Sequence, residues 1–145
     1  MKILKFISFV LSMVCLTSFT MFSCTQEIDP DPTKLIGRWQ LTEIVYNDST
    51  LTRPKPYNHR FEVELEFLPD GKVRGTTTFD NVAGLYETSS ADSITIIAGK
   101  ESKVGEVYWG KLFVKGFQSA KTYSLRNNRL YLKYEKNSLA FKKVK

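Results

Sequence analysis

The chain has 145 residues and a formal net charge of +6, with one His and two Cys. This length predicts one domain, and 42% hydrophobic with 25% charged residues excludes a disordered or collagen-like chain. One His and two Cys exclude most zinc sites that use these ligands.

Residues 1–23 have the pattern of a secretory signal peptide. Lys2 and Lys5 supply the positive start, and no charged residue occurs from Phe6 to Phe22. A retained transmembrane helix is the alternative. The uncharged stretch is, however, at the short end of the roughly 17–25 residues that span a bilayer, and no basic residues follow it directly. We therefore predict that this segment is removed before the protein folds.

Cys24 follows this segment in a sequence that resembles the bacterial lipobox. Met21 stands at the aliphatic position and Ser23 is the small residue before the cysteine, while Phe22 departs from the pattern. The resemblance implies cleavage after Ser23 and lipidation of Cys24. The mature chain, 24–145, then has no second Cys and forms no intrachain disulfide. The alternative is an unmodified Cys24, which would be a reactive thiol in an oxidising compartment.

Residues 24–34 are predicted to be a lipid-anchored tether. Acidic residues alternate with Pro30 and Pro32 in this segment, and proline keeps such a chain extended and non-helical. Short acidic stretches after a lipidated cysteine also resemble the surface-export signals of bacterial lipoproteins. The expected location is therefore the cell envelope, anchored in the outer membrane, with exposure at the cell surface if this stretch acts as such a signal.

From residue 35 to residue 145 the sequence predicts one mainly β domain. Phe61–Phe67 is the clearest strand, because apolar residues alternate with glutamates and define one buried and one wet face. Pro69–Gly71 is a predicted turn, and Asn127–Asn128 suits the positive φ of a tight hairpin. Seven or eight short strands without a βαβ pattern indicate an antiparallel meander curled into a small barrel.

Three other stretches complete the predicted domain. In the opening strand, Trp39 and Leu41 are predicted to face one way and Ile44 the other. Residues 47–59 contain two prolines and are predicted to be a loop. Glu106–Val114 is predicted to be the one short helix, weakened by its glycines.

Five residues of the domain carry a family resemblance: Gly37, Trp39, Gly75, Gly84 and Tyr86. The first two match the opening strand of the META-domain family, which includes the heat-shock protein HslJ, and the other three match the spacing of its central motif. Phe79-Asp80 stands where that family often has Cys-Asn, which removes any disulfide-based role. The resemblance implies a fold and an envelope context, and it implies no particular chemistry.

Gly37 and Trp39 on a first strand also resemble the start of a lipocalin. In that family the Trp closes the floor of the barrel and a later arginine packs on it, a role open here to Arg126 or Arg129. This second resemblance implies a hollow barrel that binds a small apolar ligand. The many large aromatic residues in a body of about 110 residues favour a filled interior instead.

No pattern in the sequence is typical of catalysis, metal binding or cofactor binding. His59 stands beside the Pro-rich loop, and the HExxH, GxxxxGK[ST] and CxxC motifs are absent. We therefore expect a non-enzymatic, monomeric lipoprotein that contacts the membrane through Cys24 and an envelope protein through its barrel, without nucleic acid. Lys142, Lys143 and Lys145 are interpreted as a wet strand end, with attraction to anionic headgroups as the alternative.

Overall fold

The structure is a computed structural model that describes residues 31–55, 62–89, 92–98 and 107–145. These residues form a short 3-10 turn at Pro32–Leu35, nine strands and one α-helix. In chain order the strands and the helix are β1 Gly37–Tyr46, β2 Ser49–Thr52, β3 Glu64–Phe67, β4 Lys72–Thr76, β5 Asn81–Thr88, β6 Ile94–Ala98, α1 Tyr108–Ser119, β7 Thr122–Arg126, β8 Arg129–Tyr134 and β9 Asn137–Lys143.

The strands form one antiparallel sheet in the order β6-β5-β4-β3-β1-β9-β8-β7, and β2 pairs with the far end of β1. The sheet curls until its two end strands nearly meet. A single bridge joins Ser93 to Thr122, and beside it the Tyr123 N–H donates to the Asp92 carbonyl oxygen at 2.7 Å. The predicted fold class is confirmed: a nearly closed, mainly β barrel with one short helix.

Two glycines on the concave side let neighbouring strands come close together. A Cβ on Gly75 would overlap the carbonyl oxygen of Glu64 on β3, and a Cβ on Gly84 would overlap that of Ile97 on β6. Any other residue would therefore push β4 away from β3, or β5 away from β6. The close approach of these strands requires glycine at both positions.

The strand predicted from alternation has the expected faces. Val63, Leu65 and Phe67 are buried, and the glutamates between them are only half-buried. Phe61, which the prediction also placed in the core, lies outside the described residues. The turn predicted at Pro69–Gly71 is present too, with Gly71 at a φ of +79°.

A bulge makes the opening strand differ from its prediction. Trp39 and Leu41 are buried as expected, but the pairing with β9 shifts register between Leu41 and Glu43. A bulge adds one residue to one strand and so reverses the alternation beyond it. Ile44 is consequently fully buried, and the prediction that it faces away from the core was wrong.

The predicted loop after β1 is wrong at its beginning. Asn47 and Asp48 both have positive φ, at 48° and 61°, and they turn the chain back into β2. Asn and Asp tolerate this conformation better than other non-glycine residues, which makes the pair a hairpin turn. Residues 56–60 of the predicted loop lie outside the described residues.

The helix is longer than its sequence suggests. It continues past Val114 to Ser119, so the predicted end was wrong, and the predicted start at Glu106 lies outside the described residues. Gly110 and Gly116 lower helix propensity, but both lie on the buried face together with Trp109, Phe113 and Phe117. Packing of this face outweighs the weak intrinsic preference.

Helix α1 packs on the concave side of the sheet. The Phe113 ring stacks with Phe117 at 5.7 Å between centroids and meets Phe141 of β9 edge-on at 6.5 Å. Gly116 lies against the ring of Tyr134 on β8, so closely that a Cβ would stand 2.6 Å from the Tyr134 Cε1. The large side chains of helix and sheet therefore meet inside the barrel.

Gly116→Ala is expected to destabilise the protein. In an exposed helix this change would stabilise by roughly 1 kcal/mol, but here the added methyl group collides with a buried ring that has no room to move. Overpacking of this kind costs about 1–3 kcal/mol. Chemical denaturation of Gly116→Ala measures the effect, with exposed Gln118→Ala on the same helix as the control. An increase in the free energy of unfolding of Gly116→Ala would show that the helix is not seated in the barrel.

Candidate functional site

The five motif residues lie in three places and form no common cleft. Gly37 and Trp39 are at the start of β1, whereas Gly75 on β4 and Gly84 on β5 lie where neighbouring strands approach closely on the concave side. Tyr86 packs edge-on against Phe67 at 5.0 Å between centroids, and its hydroxyl donates to the Leu68 carbonyl oxygen at 2.9 Å. Burial raises the pKa of the Tyr86 hydroxyl. Cys24 lies outside the described residues.

One end of the barrel, here called the floor, is formed by the 3-10 turn Pro32–Leu35 together with Trp39 and Lys143. The Trp39 Nε1 donates to the Leu35 carbonyl oxygen at 2.7 Å. The Lys143 Nζ lies 5.1 Å from the centre of the Trp39 ring and donates to the Lys34 carbonyl oxygen at 3.2 Å. A cation over an indole face is attracted by the ring quadrupole. The floor therefore ties the beginning of the domain to its last strand.

The arginine expected over Trp39 is replaced by this lysine. Arg126 and Arg129 flank the turn between β7 and β8, and both side chains are exposed on the outer face. The position over Trp39, which the lipocalin resemblance left open to either arginine, is occupied by Lys143. The register of β9 instead places Lys143 directly opposite Trp39.

The last residues of the predicted tether form part of a 3-10 turn. The Thr33 N–H donates to the Asp31 Oδ1 at 2.9 Å, which caps the 3-10 turn, and Leu35 is fully buried. Pro32 fits because the first residue of such a turn needs no N–H donor. The prediction that the tether, residues 24–34, is extended and non-helical was therefore wrong for residues 32–34.

The outer face of β1, β3 and β4 carries charges in balanced pairs. The Arg38 Nη2 lies 2.7 Å from the Glu64 Oε2, and the Arg74 Nε lies 2.7 Å from the Glu66 Oε2. The hydrogen bond from Arg38 to Glu64 raises the pKa of the guanidinium. These residues line an open groove of about 520 Å³. Exposed pairs of this kind add little stability, but they leave this face nearly neutral.

The outer face of β7, β8 and β9 carries a row of cations. Arg126 is the direct cross-strand partner of Arg129, and Arg129 is the direct partner of Lys142. Directly paired residues share one face of a sheet, and all three side chains are exposed. We call Arg126, Arg129 and Lys142 the basic row. One carboxylate, that of Glu43, lies 3.6 Å from Arg129.

The outer face of β5 and β6 carries a pair of exposed apolar residues. Leu85 and Ile97 are direct cross-strand partners, and their exposures are 51% and 58%. A pair of this size is ordinary for a soluble surface when it stands alone. It nevertheless gives this side of the barrel a different character from the basic row.

The described part of the chain has no cluster of metal-ligating residues. No group of three or more His, Cys, Asp or Glu that could hold an ion occurs there, and His59 lies outside it. Within the same residues no helix has the length and hydrophobicity of a membrane span.

Comparison with known proteins supports the fold. No protein-family model and no curated protein matches the sequence. Among solved structures, the chain is similar to a DUF4847 family protein from Bacteroides vulgatus, with 18% identity, a TM-score of 0.56 and coverage of 73% of this chain and 91% of that one. It is also similar to a protein from Burkholderia xenovorans solved by NMR, with 13% identity, a TM-score of 0.64 and coverage of 82% and 90%.

These similarities show a shared barrel-like fold and nothing finer. At such low identities, a common fold does not carry a common function. The comparisons give no sequence-level support to the META-domain or the lipocalin resemblance. The function of this chain has to be argued from its own residues.

Two tyrosine-to-phenylalanine changes should have different effects on stability. Tyr86→Phe removes a hydrogen bond to the Leu68 carbonyl and should cost about 1 kcal/mol. The buried Tyr134 hydroxyl has no hydrogen-bond partner among the described residues, so Tyr134→Phe should be neutral or stabilising. Urea denaturation at neutral pH measures both. Equal losses in the two variants would contradict the different roles assigned to these hydroxyls.

Proposed function

We propose that this protein is a lipid-anchored lipoprotein of the cell envelope whose barrel interacts with other molecules through its outer surface. The observation that carries the proposal is the packing of α1 against the sheet. Phe113, Phe117 and Gly116 bring the helix into contact with Phe141 and Tyr134, which are large side chains on the concave side. A small barrel filled by side chains leaves its exterior as the place for recognition.

The exterior has features suited to binding without catalysis. The basic row and the exposed pair Leu85 and Ile97 differ in chemistry and lie on different strands. Neither includes a nucleophile beside a general base, which is the arrangement that covalent catalysis needs. We therefore propose a monomeric, non-enzymatic protein whose partners are the membrane and another envelope protein.

The proposed anchor is consistent with the position of the floor. The described chain begins at Asp31, beside the 3-10 turn that closes the floor. A chain from Cys24 to Asp31 spans at most about 25 Å when fully extended. Two or more acyl chains on Cys24 would give stable anchoring, and the floor of the barrel would stay within that distance of the bilayer surface.

Replacing the proposed lipid-acceptor residue tests the anchor directly. Cys24→Ser, expressed in the native host, should move the protein from the membrane fraction to the soluble fraction. Cys15→Ser is the matched control and should leave it in the membrane fraction, because Cys15 lies within the proposed signal peptide. Intact-mass analysis of the wild type should show residues 24–145 with attached acyl chains. A mature protein with unmodified Cys24 would contradict the proposal.

A second candidate function is binding of a small apolar ligand inside the barrel. Two observations favour it. Lys143 packs on Trp39 at the floor much as the lipocalin resemblance implied for an arginine. The Trp109 Nε1 and the Tyr134 hydroxyl are buried without a hydrogen-bond partner in the described chain, and buried polar atoms are normally paired. A ligand with one polar group could pair with either atom.

A further inference from the structure

The groove on the outer face of β1, β3, β4 and β5 has the size of a small-molecule site. Its volume of about 520 Å³ lies within the roughly 300–1,000 Å³ that is usual for ligand pockets. Short side chains stand beside long ones there, since Thr76 is directly opposite Glu64 and Ala83 is directly opposite Arg74. Three strand spacings, about 14 Å, separate β1 from β5. The groove is therefore long enough for a chain-like ligand that lies across the strands.

The charges in the groove cancel one another. Arg38 and Arg74 form ion pairs of 2.7 Å with Glu64 and Glu66, so the four charges add to zero. An anionic ligand would meet two carboxylates and a cationic ligand would meet two guanidinium groups. Either ligand would have to compete with an existing ion pair, whereas a neutral ligand leaves both pairs intact. The groove therefore favours a neutral ligand.

The two ion pairs leave many hydrogen-bonding positions unused. Arg38 binds Glu64 through its Nη2 and Arg74 binds Glu66 through its Nε, and each carboxylate uses only its Oε2. A guanidinium has five N–H donors and a carboxylate accepts at both oxygens. Because a hydroxyl group both donates and accepts, neighbouring hydroxyls of one ligand can bind the arginine and the glutamate of a pair together. Hydrogen bonds to charged groups are roughly twice as strong as neutral ones, which favours a ligand rich in hydroxyls.

An amide and an aromatic ring lie at the β5 end of the groove. The Asn81 side chain makes no hydrogen bond among the described residues. Phe79 lines a neighbouring hollow that shares Thr76 and Asn81 with the groove, and its exposure is 45%. Sugar rings carry hydroxyls at their edges and C–H groups on their faces, so they match polar groups beside an aromatic ring. Ligand sites commonly combine aromatic side chains with a few placed polar groups.

We propose that this groove binds a neutral saccharide chain. Its hydroxyl groups bind the two ion pairs and the Asn81 amide, and the face of one sugar ring packs on Phe79. The proposal goes beyond the partners proposed above, because it places a carbohydrate ligand on a part of the outer surface that they do not use. It is also independent of the lipid anchor.

Isothermal titration calorimetry of the Cys24→Ser protein, purified without detergent, tests the proposal with cellohexaose, xylohexaose and mannohexaose. We expect at least one of these sugars to bind with a Kd of about 1 mM or tighter, and with favourable enthalpy because hydrogen bonds dominate. Since the ligand is uncharged, the Kd should change less than about twofold when salt is added. Hexagalacturonate, with a carboxylate on each ring, should bind at least about tenfold more weakly than the best neutral sugar.

Two pairs of variants locate the binding. Asn81→Ala should weaken it about fivefold, the value of one neutral hydrogen bond, and exposed Gln118→Ala on α1 is the control that should leave it unchanged. The double variant E66Q/R74Q replaces an ion pair with neutral amides and should weaken binding at least about tenfold.

The control for the double variant neutralises a similar pair elsewhere. D70N/K72Q removes an exposed ion pair of 2.6 Å that does not line the groove, and the Kd should stay within about twofold of the wild type. Exposed pairs add little stability, so both double variants should melt close to the wild type.

Three results would overturn the proposal. The first is that none of the three neutral sugars binds, and the second is that the two double variants lose equal affinity. The third is that hexagalacturonate, or a glycine–serine peptide of similar length, binds as tightly as the best neutral sugar, which would assign the groove to an anionic or a peptide ligand. Membrane fractionation of the lipidated wild type tests the anchor separately and is unaffected by these results.

Discussion

The proposal that this protein acts through its outer surface depends on the contact between helix α1 and the concave face of the sheet. Gly116 lets the helix approach Tyr134 of β8 so closely that not even a Cβ fits between them. The Phe113 ring of the helix contacts the Phe141 ring of β9. Gly75 and Gly84 lie in the other part of the sheet. They let β4 approach β3 and β5 approach β6 closely, so that the sheet can curl around the interior. Because the interior is occupied in this way, we propose that recognition takes place on the outer surface.

On the outer face of the described strands, charged residues occur in two different arrangements. On β1, β3 and β4, arginines and glutamates are cross-strand neighbours that neutralise one another. On β7 to β9, cations stand opposite cations. Like charges in directly opposite positions weaken the pairing of these strands.

The sequence predicted those features that depend on neighbouring residues. Alternation over residues 61–67 and the turn residues at Asn127–Asn128 act locally, and both predictions agree with the structure where it describes them. The burial of Ile44 depends on a bulge set by pairing with β9, far away in the chain. The residue over Trp39 is likewise decided by the register of β9. In the basic row, the β7–β8 hairpin pairs Arg126 with Arg129 locally, and only the pairing of β8 with β9 adds Lys142.

Whether the barrel is filled is tested most directly by its mass in the native host. The Cys24→Ser protein, secreted by that host and purified without detergent, can be measured by native mass spectrometry. If helix and sheet meet throughout the interior, the spectrum will show the polypeptide alone. A stoichiometric apolar ligand that leaves on unfolding would contradict this account, and it would assign the function to the inside of the barrel.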